Sequence, residues 1–144
     1  MDFLAATGQG CWQMLPVGPT GYGNSPYQSL SSFAGNTLLI SLDRLADQKL
    51  LPPFGEPAIP SFSKDTVDFD QVTQWNQRQL RVAHRTFLEK GDDTADFQAF
   101  CEANAWWLDD YALYRSLKRA HQEQAWNNWP QAFVRRNPEA LKEI

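Results

Sequence analysis

Residues Cys11 to Gln28 read CWQMLPVGPTGYGNSPYQ, and this stretch decides how the rest of the chain is interpreted. It begins with a short, mainly apolar run that Pro16 closes, which predicts a buried β-strand over Cys11–Leu15. The residues that follow, up to Gln28, contain three glycines and three prolines. This density of turn formers predicts a loop, in which Ser25 and Pro26 start a short helical turn that ends near Gly35.

The loop carries two tyrosines, Tyr22 and Tyr27. A strand that runs into such a loop is typical of the rim of a parallel α/β barrel, where loops after strands form the site and aromatic faces stack on sugar rings. Packing of both tyrosines within the loop explains the pattern equally well. A phosphate-binding loop is disfavoured, because the glycine order does not match a dinucleotide motif and no Gly-Lys-Ser/Thr end follows.

The rest of the chain is predicted to be helical. Asp43 is the expected N-cap of a small helix, and the proline-rich segment Leu51–Pro60 is expected to be extended. Two amphipathic patterns follow, over Val72–Lys90, which ends at Gly91, and over Thr94–His121. The second half of the chain is therefore predicted to be an α-helical subdomain.

Both ends of the chain contain short helical patterns. Asp2–Thr7 is followed by Gly8 as a left-handed cap, and Asn137 with Pro138 forms an N-cap and first-turn pair. Helices this short are marginal by themselves. We expect both ends to cut through helices of a longer protein.

The composition excludes several classes of partner. A net charge of −4 and a pI of about 5.1 disfavour a nucleic-acid partner. The sequence has no apolar run of the ~18 residues that a membrane span needs and no secretion signal, so a cytoplasmic setting without a membrane partner is predicted. Cys11 and Cys101 are interpreted as buried, reduced thiols, and no metal or cofactor is predicted because no ligand spacing occurs.

The acidic and aromatic residues of the second half fit structural roles. Asp109 and Asp110 are neighbours on a helix, so their side chains diverge by about 100° and are interpreted as a solvated face. The aromatic stripes of this helix, which include Trp106, indicate a core. Trp126 and Trp129, just before a proline, fit either a core or a ligand surface.

Three segments carry a resemblance to a known family. They are the run from Gly10 to Ser29 with Ser32–Asn36, the run AWWLDDYALY at Ala105–Tyr114, and the run WNNWP at Trp126–Pro130. Together they resemble 4-alpha-glucanotransferases, glycoside hydrolase family 77, in the expected order. The resemblance is weak only between Leu51 and Lys90.

The resemblance implies a fold class and a reaction. The fold is α/β: an incomplete (β/α)8 TIM barrel, namely its second-strand region, with a mainly α-helical insertion subdomain. A closed barrel needs ~250 residues, more than this chain has. The implied enzyme transfers α-1,4-glucan segments between maltodextrins by a retaining route that uses an Asp nucleophile, a Glu acid/base and a supporting Asp. These catalytic residues come from later strands, so none is expected here and the chain alone is expected to be inactive.

What carries over to this chain is a set of binding positions. Tyr22, Ser25 and Tyr27 match positions that contact the bound glucan, whereas Asn24 stands where family members often have Asp. The predicted organisation is a partial barrel segment at residues 1–50, a proline-rich linker at 51–66 and a truncated helical insertion at 67–144. Two alternatives are a stand-alone carbohydrate-binding module and a helical interaction protein without a ligand.

Overall fold

A computed structural model describes residues 1–53, 59–91 and 94–142. The chain forms two compact units, residues 1–91 and residues 92–144. The helices are α1 (Asp2–Ala6), α2 (Leu42–Asp47) and α3 (Phe69–Lys90) in the first unit, and α4 (Thr94–Ala120), α5 (Gln131–Val134) and α6 (Pro138–Leu141) in the second. Single 3-10 turns lie at Tyr22–Asn24, Pro26–Gln28, Thr37–Leu39 and Trp126–Asn128.

The strand predicted at Cys11–Leu15 is wrong for this chain, because no strand occurs in the ranges that the structure describes. A strand exists only when a neighbour accepts and donates its backbone hydrogen bonds, and a parallel neighbour requires a further crossover segment. The side chains of Trp12 and Leu15 are 57% and 61% exposed. Both cysteines are free thiols, but Cys11 is exposed and Cys101 is only half-buried, so the predicted burial is wrong for Cys11 and incomplete for Cys101.

In the first unit, α2 packs against α3. The N-cap of α2 is Ser41 and not the predicted Asp43, since the Ser41 hydroxyl accepts a hydrogen bond from the Arg44 N–H at 3.2 Å. At the other end, the Lys90 ammonium of α3 donates to the carbonyls of Gln48 and Lys49 at 3.4 and 2.7 Å. These bonds satisfy carbonyls that the end of a helix leaves without partners.

Helix α3 begins three residues before the predicted Val72 and ends where the sequence predicts. The Asp68 carboxylate accepts from the Gln71 N–H at 3.0 Å, which caps the first turn. Gly91 adopts a left-handed conformation with φ of 63° and donates its N–H to the Phe87 carbonyl. Only glycine takes this conformation without steric cost, so Gly91 ends the helix.

In the second unit, the chain turns back after α4 and lays Trp129 on that helix. The Lys118 ammonium donates to the carbonyls of Glu123 and Gln124 at 2.7 and 3.1 Å, and Arg115 forms an ion pair with Glu123 at 3.1 Å. Trp129 is 6% exposed, and its ring centroid lies 5.8 Å from that of Tyr114. This contact forms the core of the second unit.

Two further predictions concern the helix cap at Asn137 and the proline-rich segment. The helix cap at Asn137 is confirmed, because its side-chain oxygen accepts from the N–H groups of Glu139 and Ala140 at 2.9 and 3.4 Å. The proline-rich segment is not helical at residues 51–53 and 59–66. Its middle, residues 54–58 with Pro57, lies outside the described residues. The organisation into residues 1–50, 51–66 and 67–144 stays a prediction.

Candidate functional site

The loop that carries the three predicted glucan-contacting residues closes on itself. The Asn36 N–H donates to the Val17 carbonyl at 2.9 Å, so the two ends of the loop meet. The Asn36 side chain then accepts from the Leu38 N–H at 2.9 Å and starts the next 3-10 turn. The segment from Val17 to Asn36 is therefore a closed surface loop.

Within this loop, Ser25 joins two consecutive 3-10 turns, Tyr22–Asn24 and Pro26–Gln28. The Gly21 N–H donates to the Ser25 carbonyl at 3.0 Å, and the Asn24 N–H donates back to the Gly21 carbonyl at 3.1 Å. The predicted helical turn at Ser25 is confirmed, but it ends at Gln28 and does not continue to Gly35.

Asn24 has a positive φ of 58° and follows Gly23, whose φ is 62°. Asparagine and aspartate are the side chains that tolerate this left-handed region best, because their short polar groups bond locally. The backbone conformation at position 24 therefore suits either Asn or Asp.

The second half of the loop is held by two serine side chains. The Ser29 hydroxyl donates to the Ser31 carbonyl at 2.6 Å, and the Ser31 hydroxyl accepts from the N–H groups of Phe33 and Ala34 at 3.1 and 3.0 Å. These bonds replace the regular pairing that a loop lacks. Backbone and hydroxyl groups of the loop itself therefore stabilise its conformation.

The three predicted site residues lie within six positions of each other on this braced loop. The side chain of Tyr22 is 93% exposed and that of Tyr27 is 75% exposed, while Ser25 between them is half-buried. The alternative that both tyrosines pack the loop is wrong in this chain. Exposed phenol rings on a fixed backbone offer flat apolar surfaces with a polar end, which is the arrangement that suits a sugar ring.

The acidic residues of α4 show the solvated face that the sequence predicts. Asp109 and Asp110 are both exposed, and Asp110 forms an ion pair with Arg136. The hydrogen bond and charge of Arg136 lower the pKa of Asp110 below its usual value. In the described part of the chain, no three His, Cys, Asp or Glu side chains come together as a possible metal site.

The aromatic residues of the second unit divide into buried and exposed ones. His121 lies between Trp129 and Phe133, with ring centroids 5.6 and 5.5 Å apart, so Trp129 belongs to the core. Trp126, three residues earlier, is 56% exposed, and Trp106 is 68% exposed. The core interpretation is therefore wrong for Trp106 in this chain.

The residues that sequence reasoning missed are the ones that hold the loop. Gly18 and Gly21 stand out in the sequence as turn formers, yet their role in the structure is to let two backbone segments approach each other. The only signal for this role is the glycine density.

In the described residues, no helix is both long enough and apolar enough to span a membrane.

Comparison with known proteins covers the whole chain. A family model described as 4-alpha-glucanotransferase matches residues 1–144. A 4-alpha-glucanotransferase from Synechocystis sp. is 44% identical over 145 residues, which are 99% of this chain and 28% of that protein. One from Thermus thermophilus is also 44% identical, with the same coverage.

A solved structure agrees with these relatives. The amylomaltase from Streptococcus agalactiae, in complex with acarbose, superposes with a TM-score of 0.88 at 33% identity. The match covers 99% of this chain and 29% of the amylomaltase chain. The chain thus spans less than a third of the length of these three proteins.

Proposed function

Because this chain belongs to the 4-alpha-glucanotransferase family, we propose that it forms the glucan-contacting part of an enzyme that transfers α-1,4-glucan segments between maltodextrins. The observation that carries the proposal is the braced loop, which holds Tyr22 and Tyr27 exposed where the sequence resembles the family's glucan-binding loop. Acarbose on the related amylomaltase supports the same class of ligand. No nucleic acid, membrane or cofactor is part of the proposal, and the cytoplasm is its proposed location.

Each of the three loop residues has a distinct proposed role. Tyr22, the more exposed tyrosine, stacks on glucose units away from the scissile bond. Ser25 and Tyr27 contact a sugar nearer the reaction, where their hydroxyl groups can donate and accept hydrogen bonds. These groups bind and orient the glucan, and they do not react with it.

The chemistry itself is proposed to reside outside this chain. A retaining transfer needs two carboxyl groups ~5–5.5 Å apart on either side of the glycosidic bond, one as nucleophile and one as acid and base. Neighbouring side chains on a helix, such as Asp109 and Asp110, point about 100° apart and cannot take these positions. The Asp nucleophile, the Glu acid/base and the supporting Asp are therefore proposed to belong to parts of the enzyme that this chain does not span.

The proposed complete fold is a (β/α)8 barrel. In such a barrel, Cys11–Leu15 would gain a parallel neighbour on each side and become its second strand, and the loop would lie at the substrate-facing end. Residues 67–144 would form the helical insertion, joined through the linker at 51–66. The apolar side chains that are now exposed at Trp12 and Leu15 would then be covered.

The test is a full-length chimaera in which this chain replaces the matching 28% of the Thermus thermophilus relative. We expect the chimaera to convert maltotriose into glucose and longer maltodextrins, and the 144-residue chain alone to release no glucose above a boiled control. Activity of the chain alone, lost on Asp109→Asn or Asp110→Asn, would contradict the proposal.

The same preparations separate the two alternatives. A stand-alone carbohydrate-binding module would bind maltodextrin as the isolated chain but would give an inactive chimaera. A helical interaction protein would give an inactive chimaera and no binding, with Tyr22→Ala and Tyr27→Ala without effect in either measurement.

A further inference from the structure

Two backbone segments of the loop come into close contact at Gly21 and Gln28, a contact termed the crossing. A Cβ atom built on Gly21 would overlap the carbonyl oxygen of Gln28 and lie 2.8 Å from the Gln28 Cβ. Real Cβ atoms do not approach a backbone carbonyl so closely, and a backbone atom cannot rotate out of the way as a side chain can. Any residue larger than glycine at position 21 must therefore push the two segments apart.

A Cβ atom would meet less steric hindrance at two other glycines of the loop, Gly18 and Gly35. A Cβ on Gly18 would lie 2.8 Å from the Ser29 hydroxyl and 3.1 Å from the Ser31 carbonyl, so part of its contact is with a side chain that can move. A Cβ on Gly35 would meet nothing within 4 Å, and Gly35 has an ordinary φ. The close approach is thus specific to Gly21 and, to a smaller extent, Gly18.

The crossing lies next to both exposed tyrosines. Tyr22 directly follows Gly21 and Tyr27 directly precedes Gln28, so the distance between the two crossing segments fixes the separation of the two tyrosine Cα atoms. The hydrogen bond from the Gly21 N–H to the Ser25 carbonyl, 3.0 Å long, ties the intervening turn to the same point. A displacement at the crossing therefore moves Tyr22, Ser25 and Tyr27 relative to one another.

We propose that Gly21 is a positioning residue that sets the spacing of Tyr22 and Tyr27 for a single glucan chain. This proposal rests on the function proposed above. The backbone determines the distance between the two tyrosines, because their side chains are too exposed to be held by packing. Both rings can contact one glucan only if the two backbone segments keep the short separation that glycine at position 21 permits.

The experiment compares Gly21→Ala with the matched control Gly35→Ala in the full-length chimaera. Because a misplacement of about 1 Å in a binding site costs roughly a hundredfold in rate, we expect Gly21→Ala to lower kcat/KM for maltotriose roughly a hundredfold. Gly18→Ala should give a smaller loss, which Ser29→Ala partly restores. Gly35→Ala should keep the kcat/KM of the parent.

A double-mutant cycle separates positioning from loss of fold. In a background that carries Tyr22→Ala, Ser25→Ala and Tyr27→Ala, a positioning residue has little left to position, so Gly21→Ala should lower kcat/KM by less than about threefold. The same hundredfold cost in both backgrounds, or a Gly21→Ala variant within twofold of the parent, would overturn the proposal. If the tyrosine substitutions alone change nothing, the proposed function of the loop fails as well.

Discussion

The loop at residues 17–36 and the aromatic cluster of the second unit use similar side chains in opposite ways. In the loop, Tyr22 and Tyr27 are 93% and 75% exposed on a backbone that braces itself. In the cluster, Trp129 is 6% exposed and lies against the rings of Tyr114 and His121. The first region keeps its shape without burying its aromatic rings, whereas the second has its shape because it buries them.

This difference shows that an aromatic residue by itself does not indicate a ligand. What separates the two regions is the backbone that carries the rings. A chain of glycines, prolines and serines closes its own hydrogen bonds and leaves its large side chains free for another molecule. A long helix satisfies its backbone internally but must cover one face, so it draws aromatic side chains onto that face.

The largest expected effect is on the stability of the cluster. Trp129→Ala should lower the free energy of unfolding of the chain by about 3–5 kcal/mol, because it leaves a cavity where a large ring was buried. Urea titration followed by near-UV circular dichroism measures the change. The control is Trp129→Phe, which keeps an aromatic ring beside Tyr114 and His121 and removes an indole Nε1–H that has no acceptor in the described residues. A Trp129→Ala variant as stable as its parent would contradict the proposed core.

Substitutions in the loop should reverse this pattern, with little change in stability and a clear change in binding. Tyr22→Ala removes an aromatic surface worth ~1–2 kcal/mol, which corresponds to about a five- to thirtyfold rise in KM for maltodextrin in the chimaera. Tyr27→Ala and Ser25→Ala should lower kcat more than Tyr22→Ala does. Tyr22→Phe keeps the ring and should stay near the parent. An unchanged KM and product distribution for a folded Tyr22→Ala variant would contradict this prediction.

A smaller effect on stability is expected at the C-terminal end of α2, where the ammonium of Lys90 caps the helix. Lys90→Ala removes the ammonium that donates to the carbonyls of Gln48 and Lys49, and it should lower the free energy of unfolding by ~1 kcal/mol. Lys90→Met keeps the aliphatic stem and should lose a similar amount if the hydrogen bonds matter. Equal stability of Lys90→Met and the parent would show that the stem alone contributes. Thermal unfolding of the three proteins side by side gives the answer.

The smallest effect concerns the exposed ion pair between Asp110 and Arg136. Arg136 lowers the pKa of Asp110 in the folded chain, so the pair contributes stability at pH values above the usual aspartate pKa. That contribution is lost as the pH falls through the lowered pKa. Asp110→Asn should remove this acid-dependent part of the unfolding curve, while Asp109→Asn should leave it. Identical acid titrations of the two variants would contradict the assignment.

Sequence patterns predicted the features of the fold that a single residue determines. Gly91 ends α3 and Asn137 caps α6, as expected from the conformations these residues favour. The sequence predicts Asp43 as the cap of α2, whereas Ser41 caps it, since Ser and Asp are both favourable N-cap residues. Local sequence patterns therefore predict the region in which a helix begins or ends more reliably than the residue that caps it.

Features that need two distant segments could not be predicted from a local pattern. A strand at Cys11–Leu15 depends on neighbours that a run of apolar residues does not reveal. The approach of Gly21 to Gln28 joins positions seven residues apart, and composition shows only that the loop is rich in glycine. A family resemblance predicts the site residues, while only the three-dimensional structure shows the residues that hold them.

The closure of the loop between Val17 and Asn36 has a use in protein engineering. Because these residues already meet through a 2.9 Å hydrogen bond, the segment between them is a cassette whose removal leaves two chain ends within bonding reach. A short Gly-Ser bridge could replace the whole cassette without stretching the flanking chain, and cassettes from other relatives could be inserted at the same two points. Libraries built in this way would vary the exposed side chains of the loop while its attachment to the flanking chain stays constant.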